Sequence, residues 1–110
     1  HRQRERFFGL QFSDKDIDIA PLKSVKAIQD EGDKMHHCVF RMQYYDMSKH
    51  PESLIMSARD KQGKRLETIE VNIKSFKVVQ SRGLQNDPTP YHDKIVDLVN
   101  KNMNKIRAVA

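Results

Sequence analysis

The segment Met35-His36-His37-Cys38-Val39 joins the single cysteine of the chain to two of its five histidines, just behind Glu31-Gly32. Thiol catalysis needs a base to form the thiolate and a third group to orient that base. His37 and His36 are the bases nearest in sequence, and Glu70, Gln80 or Asn86 could orient a histidine or build an oxyanion site. Consecutive side chains on a helix do not face each other. His37 therefore serves Cys38 only if the helix breaks there; His36 is no better placed, and His92 would have to reach across the fold. The competing reading makes Cys38 a small buried hydrophobe beneath a sheet, and both stay open. Zinc would draw on His36, His37, Cys38, His50 and His92, but no CxxC or HxxxH pair has the usual ligand spacing. No metal or other cofactor is assigned.

Binding is the third chemistry. The 110 residues carry 20 Lys+Arg against 15 Asp+Glu, a net charge of +5 that favours polyanions at low salt. Arg2, Arg4 and Arg6 cluster at the start, and Lys23, Lys26, Arg59, Lys61, Lys64, Arg65 and Arg82 would extend a phosphate-reading surface. No DNA-reading motif accompanies them. Arg59 and Arg82 have an alternative, pairing with Glu70, which would explain a glutamate inside an apolar strand. Asp14, Asp16 and Asp18 alternate as in a calcium loop, but without its glycine and distal glutamate they read as a charged turn.

The length is that of one domain. A lone cysteine forms no internal disulfide, which fits a reducing cytoplasm. No apolar run approaches the ~20 residues that cross a bilayer, so no membrane partner is expected. The chain opens on His1-Arg2, which reads as a piece of a longer protein.

These groups must be held by elements that the pattern predicts. Residues 1–20 form a basic, aromatic segment ending in a short Ile17-Asp18-Ile19 strand. Leu22, Val25 and Ile28 mark one helix that Gly32 ends, and a second helix carries Met35, Cys38, Val39 and Met42. Three antiparallel strands follow: Ser53 to Arg59, Leu66 to Ile73 and Phe76 to Arg82. Registering the first hairpin on Gln62-Gly63 sets Met56 opposite Ile69 and Leu54 opposite Val71, with Ser57, Arg59, Thr68 and Glu70 on the other face. A two-residue turn at Lys74-Ser75 would put Gln80 opposite Ile69, on the apolar side. Thr89 caps a long final helix from Pro90 to about Arg107.

Taken together, Glu31-Gly32, Met35-His36-His37-Cys38-Val39, Ser53-Leu54-Ile55, Thr68-Ile69-Glu70-Val71 and Val79-Gln80-Ser81-Arg82-Gly83 with Asn86 resemble the PcfJ-like family. The resemblance runs from about Pro21 to Ile106, and the order of five motifs makes it specific. The Ser53–Arg59 and Tyr91–Ile95 segments are most similar to Bacteroidetes members, and the chain resembles the C-terminal portion of longer proteins. The resemblance implies a setting on conjugative and other mobile genetic elements and no particular reaction. The expected fold is α+β, with two N-terminal helices, a three-stranded antiparallel meander and a long C-terminal helix packed on the sheet, residues 21–110 forming the domain. The expected function is nucleic-acid binding or contact with another transfer protein, with a thiol enzyme centred on Cys38 as the alternative.

Overall fold

The structure, a computed structural model, describes residues 2–36 and 51–110. After a 3₁₀ helix at Arg2–Phe7 come β1 (Phe12–Ser13), β2 (Ile17–Pro21), α1 (Val25–Met35), β3 (Ser53–Asp60), β4 (Arg65–Asn72) and β5 (Lys77–Arg82). A 3₁₀ turn at Leu84–Asn86 leads to α2 (His92–Lys101) and α3 (Met103–Val109). The fold is α+β, and its strands form one antiparallel sheet in the order β1-β2-β3-β4-β5.

The expected three-stranded meander is overturned: among the described residues the sheet has five strands. The two extra strands come from the N-terminal segment. Asp14 makes the turn between them, its Oδ1 accepting the backbone N–H groups of Asp16 and Ile17. β2 then pairs with β3 from Ile17↔Asp60 to Pro21↔Met56. β1 is two residues long, too short to show a period, and that is why the pattern missed it. Pro21 is tolerated because β1 pairs only with Asp18 and Ile19, leaving the rest of β2 as an edge.

Two N-terminal helices were expected, and the described residues contain one. Ser24 caps α1, its hydroxyl accepting the Ala27 N–H at 2.9 Å. Gly32 does not end this helix; it is buried in its last turns. The left-handed cap is His36 (φ 57°, ψ 41°), whose N–H bonds the Gly32 carbonyl. Met35 belongs to α1, while the proposed Cys38, Val39 and Met42 positions lie outside the described residues.

The single long C-terminal helix is two helices. Asn102 breaks it: its N–H bonds the Val99 carbonyl three residues back, and its side-chain amide donates to Leu98 O at 2.8 Å. Tyr91, not Thr89, is the residue at the α2 N-terminus. Thr89 still serves that end, its hydroxyl accepting the Tyr91 N–H at 3.1 Å.

Met56 faces Ile69 and Leu54 faces Val71 as expected, but the turn differs: Asp60 bonds Lys64, Arg59 pairs with Arg65, and a bulge between Ala58 and Arg59 brings in the register. Their face forms the core with Ile17 and Ile19 of β2, Ile95 and Val99 of α2, and Met103 and Ile106 of α3. Phe7 of the 3₁₀ helix, fully buried, closes one end. Gln80 departs from expectation. The β4–β5 connection is longer than two residues, with Phe76 left-handed (φ 56°) and its N–H on Asn72 O. The register then slips so that Val71 pairs with Val78 but Glu70 with Gln80, leaving Val79 as a bulge. Gln80 therefore lies opposite Glu70 and off the hydrocarbon face.

Candidate functional site

The second face of the sheet is polar by strand alternation. Ser53, Ile55, Ser57 and Arg59 of β3 lie beside Thr68 and Glu70 of β4, and Gln80 of β5 follows. A buried sheet face of this kind needs an internal partner for each polar group. Helix α1 supplies part of that. Its Ile28 packs with Leu22 and Ile55 in a small second core. One turn further on, the fully buried Glu31 meets the polar row.

Glu31 is held at both oxygens. Oε1 accepts Arg65 Nε at 2.8 Å, with an Arg59 guanidinium nitrogen at 3.6 Å. Oε2 accepts the buried Thr68 hydroxyl at 2.6 Å. Arg59 Nε also donates to Ser57 Oγ at 3.1 Å. Two residues along β4, Glu70 forms the next knot: Ser53 Oγ donates to Oε2 at 2.6 Å and Gln80 Nε2 to Oε1 at 2.9 Å. Charge-assisted bonds of this kind are stronger than neutral ones. Together they bolt α1 and β3 to β4, and β4 to β5.

A third acid sits on the opposite face. Glu67 alternates with Ile69 and Val71, so its carboxylate points into the apolar side, fully buried. Ser81 Oγ (2.7 Å) and His92 Nδ1 (2.9 Å) meet Oε1; the Thr89 N–H (2.8 Å) and hydroxyl (2.7 Å) reach Oε2. Burial pushes this carboxyl up, but the bonds from Ser81, Thr89 and His92 outweigh it and hold it below its ordinary value. An ionised carboxylate only accepts, so His92 Nδ1 is the donor in this contact. Gly83 lets the loop come in this close: a Cβ there would lie 2.5 Å from Asp87 O and 2.7 Å from Thr89 Cγ2.

Of the residues the sequence nominated, Glu70 and Gln80 are brought together. Arg59 pairs with Glu31, and Arg82 is exposed across from Thr68. Asn86 is exposed in the Leu84–Asn86 turn, left-handed at φ 67°. His36 is the exposed cap of α1. His37, Cys38 and His50 lie outside the described residues. Arg2, Arg4 and Arg6 all fall in the first 3₁₀ helix, and the Arg6 guanidinium stacks 4.7 Å from the Phe7 ring centroid. Lys61 sits on Asp18 at 2.9 Å, and Lys94 bridges Asp14 and Asp16, so lysines compensate the three alternating aspartates.

Sequence reasoning missed Glu67 with His92, Ser81 and Thr89. The signal was present: Glu67 stands two residues before Ile69, in the register of the apolar face. A charged residue in that register requires partners.

The chain matches the family model described as PcfJ-like protein over residues 1–96. Comparison with curated proteins and with solved structures found no match in either.

Proposed function

The chain belongs to the PcfJ-like family, and from that premise we propose that it is a binding module of a conjugative-transfer protein carried on a mobile genetic element. Its partner in this reading is an anionic macromolecule, nucleic acid or protein. One observation carries it. Lys26, Lys34, Lys64, Lys77 and Arg82 are exposed and make no ion pair among the described residues. The buried acids give no comparable opening. Glu31, Glu67 and Glu70 each accept from at least two protein donors, so they act as fasteners of the sheet.

The test is fluorescence anisotropy with labelled heparin, single-stranded DNA and duplex DNA over about 50 to 200 mM salt. Counterion release predicts that log K falls linearly with log salt, by about 0.7 to 0.9 per phosphate neutralised on DNA. Binding of no polyanion at low salt, or binding indifferent to salt, overturns the reading.

A further inference from the structure

The two edges of the sheet differ. At one edge β1 covers two residues of β2 and leaves the rest of that strand open; at the other β5 offers six, and among the described residues no strand pairs with its outer side. Open edges template another strand through their backbone groups unless they are shortened, charged or covered, and β5 is charged only at its two ends, Lys77 and Arg82. Beside this one lies a cleft of about 600 Å³, walled by β5 and by His92, Val96 and Asn100 of α2. At ~3.3 Å per residue β5 offers an edge about 20 Å long. Bulged Val79, 56% exposed, stands midway along it.

We propose that β5 is a docking edge that takes an extended, acidic segment of a partner protein as a sixth strand. The proposal rests on the anionic-partner reading above and narrows it to a polypeptide. Charge selects the occupant. None of the cleft's lining residues is acidic, and exposed Lys77 and Arg82 stand at the two ends of the strand. Arg107, stacked 4.8 Å from the Phe76 ring centroid, adds a third cation at the Lys77 end.

The same charges disfavour a second copy of the chain. Antiparallel pairing of β5 with itself about its centre sets Lys77 opposite Arg82 twice, and like charges directly opposite are destabilising. A nucleic acid fits the charge but not the edge. A strand edge presents alternating N–H and C=O groups, which a polypeptide matches and a phosphate backbone does not. Of the two rings lining the cleft, Phe76 is stacked by Arg107 and His92 is tied to Glu67, so neither stands free as a platform for a single strand.

The test uses the 110-residue chain and a fluorescein-labelled eight-residue peptide alternating glutamate and valine. Its comparators are the same peptide N-methylated at alternate backbone nitrogens (both registers), a lysine–valine peptide, and a twelve-residue oligothymidylate. The acidic peptide is expected to bind and to slow amide hydrogen exchange in β5. N-methylation in one register, or exchange of glutamate for lysine, should weaken binding at least tenfold. The Lys77→Glu/Arg82→Glu variant should do the same, with its unchanged melting curve certifying the fold. The N-methylated peptides test the unmodified protein and so do not depend on any variant folding. Equal binding of both N-methylated peptides overturns the proposal, because attraction would then be charge alone. Oligothymidylate displacing the peptide from β5 overturns it while leaving the anionic-partner reading intact. Binding of neither probe, nor of heparin, overturns both.

Discussion

The two faces of one sheet are built on opposite principles. On one, Leu54, Met56, Ile69 and Val71 meet Ile95, Val99, Met103 and Ile106, and contact is almost wholly hydrocarbon. On the other, beside the small Leu22–Ile28–Ile55 core, Glu70 holds Ser53 and Gln80 while Glu31 holds Thr68, Arg59 and Arg65, so contact is made largely through hydrogen bonds and ion pairs. Burial of hydrocarbon is strong and indifferent to direction. Buried hydrogen bonds add little net energy but penalise every arrangement that leaves one unmade. The apolar face therefore supplies most of the stability, and the polar face decides where α1 and β5 sit.

Substitutions on each face should separate those roles. The largest loss belongs to the hydrocarbon side: Ile69→Ala, at a fully buried position, should cost about 2–5 kcal/mol in urea unfolding. Next is Glu31→Ala, which strands Arg65 and Thr68 and should cost about 1.5–3 kcal/mol. A double-mutant cycle with Thr68→Val should show coupling, whereas a cycle between Glu31 and Ile69, on opposite faces, should be additive within about 0.5 kcal/mol. Strong coupling across the sheet would break the division of labour.

Glu67 sharpens the comparison because it is the polar exception on the apolar face. Its carboxyl lies below the ordinary value in the folded chain, so the folded state favours the ionised form. That contribution is complete above the unfolded pKa, near 4.5, and is lost as pH falls through the folded value. Stability measured from pH 6 down to about pH 3 should fall, and Glu67→Gln should flatten that decline while lowering stability at neutral pH by about 1–2 kcal/mol. The smallest effect is expected from Arg82→Gln. This exposed residue makes no ion pair among the described residues and should stay within about 0.5 kcal/mol of the parent in thermal unfolding.

The same division explains what could be read from sequence. Alternation in Leu54–Ala58 and Ile69–Val71 located two central strands and their register, because a one-residue slip would expose every apolar side chain. The fate of Gln80 was not legible. It depends on one bulged residue, Val79, and on the left-handed Phe76, neither of which leaves a hydrophobic period. The break at Asn102 was hidden as well, since Val99, Met103 and Ile106 keep a helical spacing straight through it. Gly32 misled in the opposite sense: it suggested a helix end but is buried inside α1, and the actual end is a left-handed histidine. Within the candidate site, the Glu70–Gln80 pair could be nominated from its motifs. The hold of Glu31 on Arg65 and Thr68 could not, because it joins residues 34 and 37 positions apart.

The joint at Asn102 has a geometric consequence. A twisted sheet presents a saddle, and a straight rod laid on a saddle touches it along a short length only. Past that joint, Ile106 of the second, shorter rod reaches the same core as Phe7 of the opening 3₁₀ helix. The opening 3₁₀ helix and α3 thereby pack side by side, closing the core from the first described element to the last.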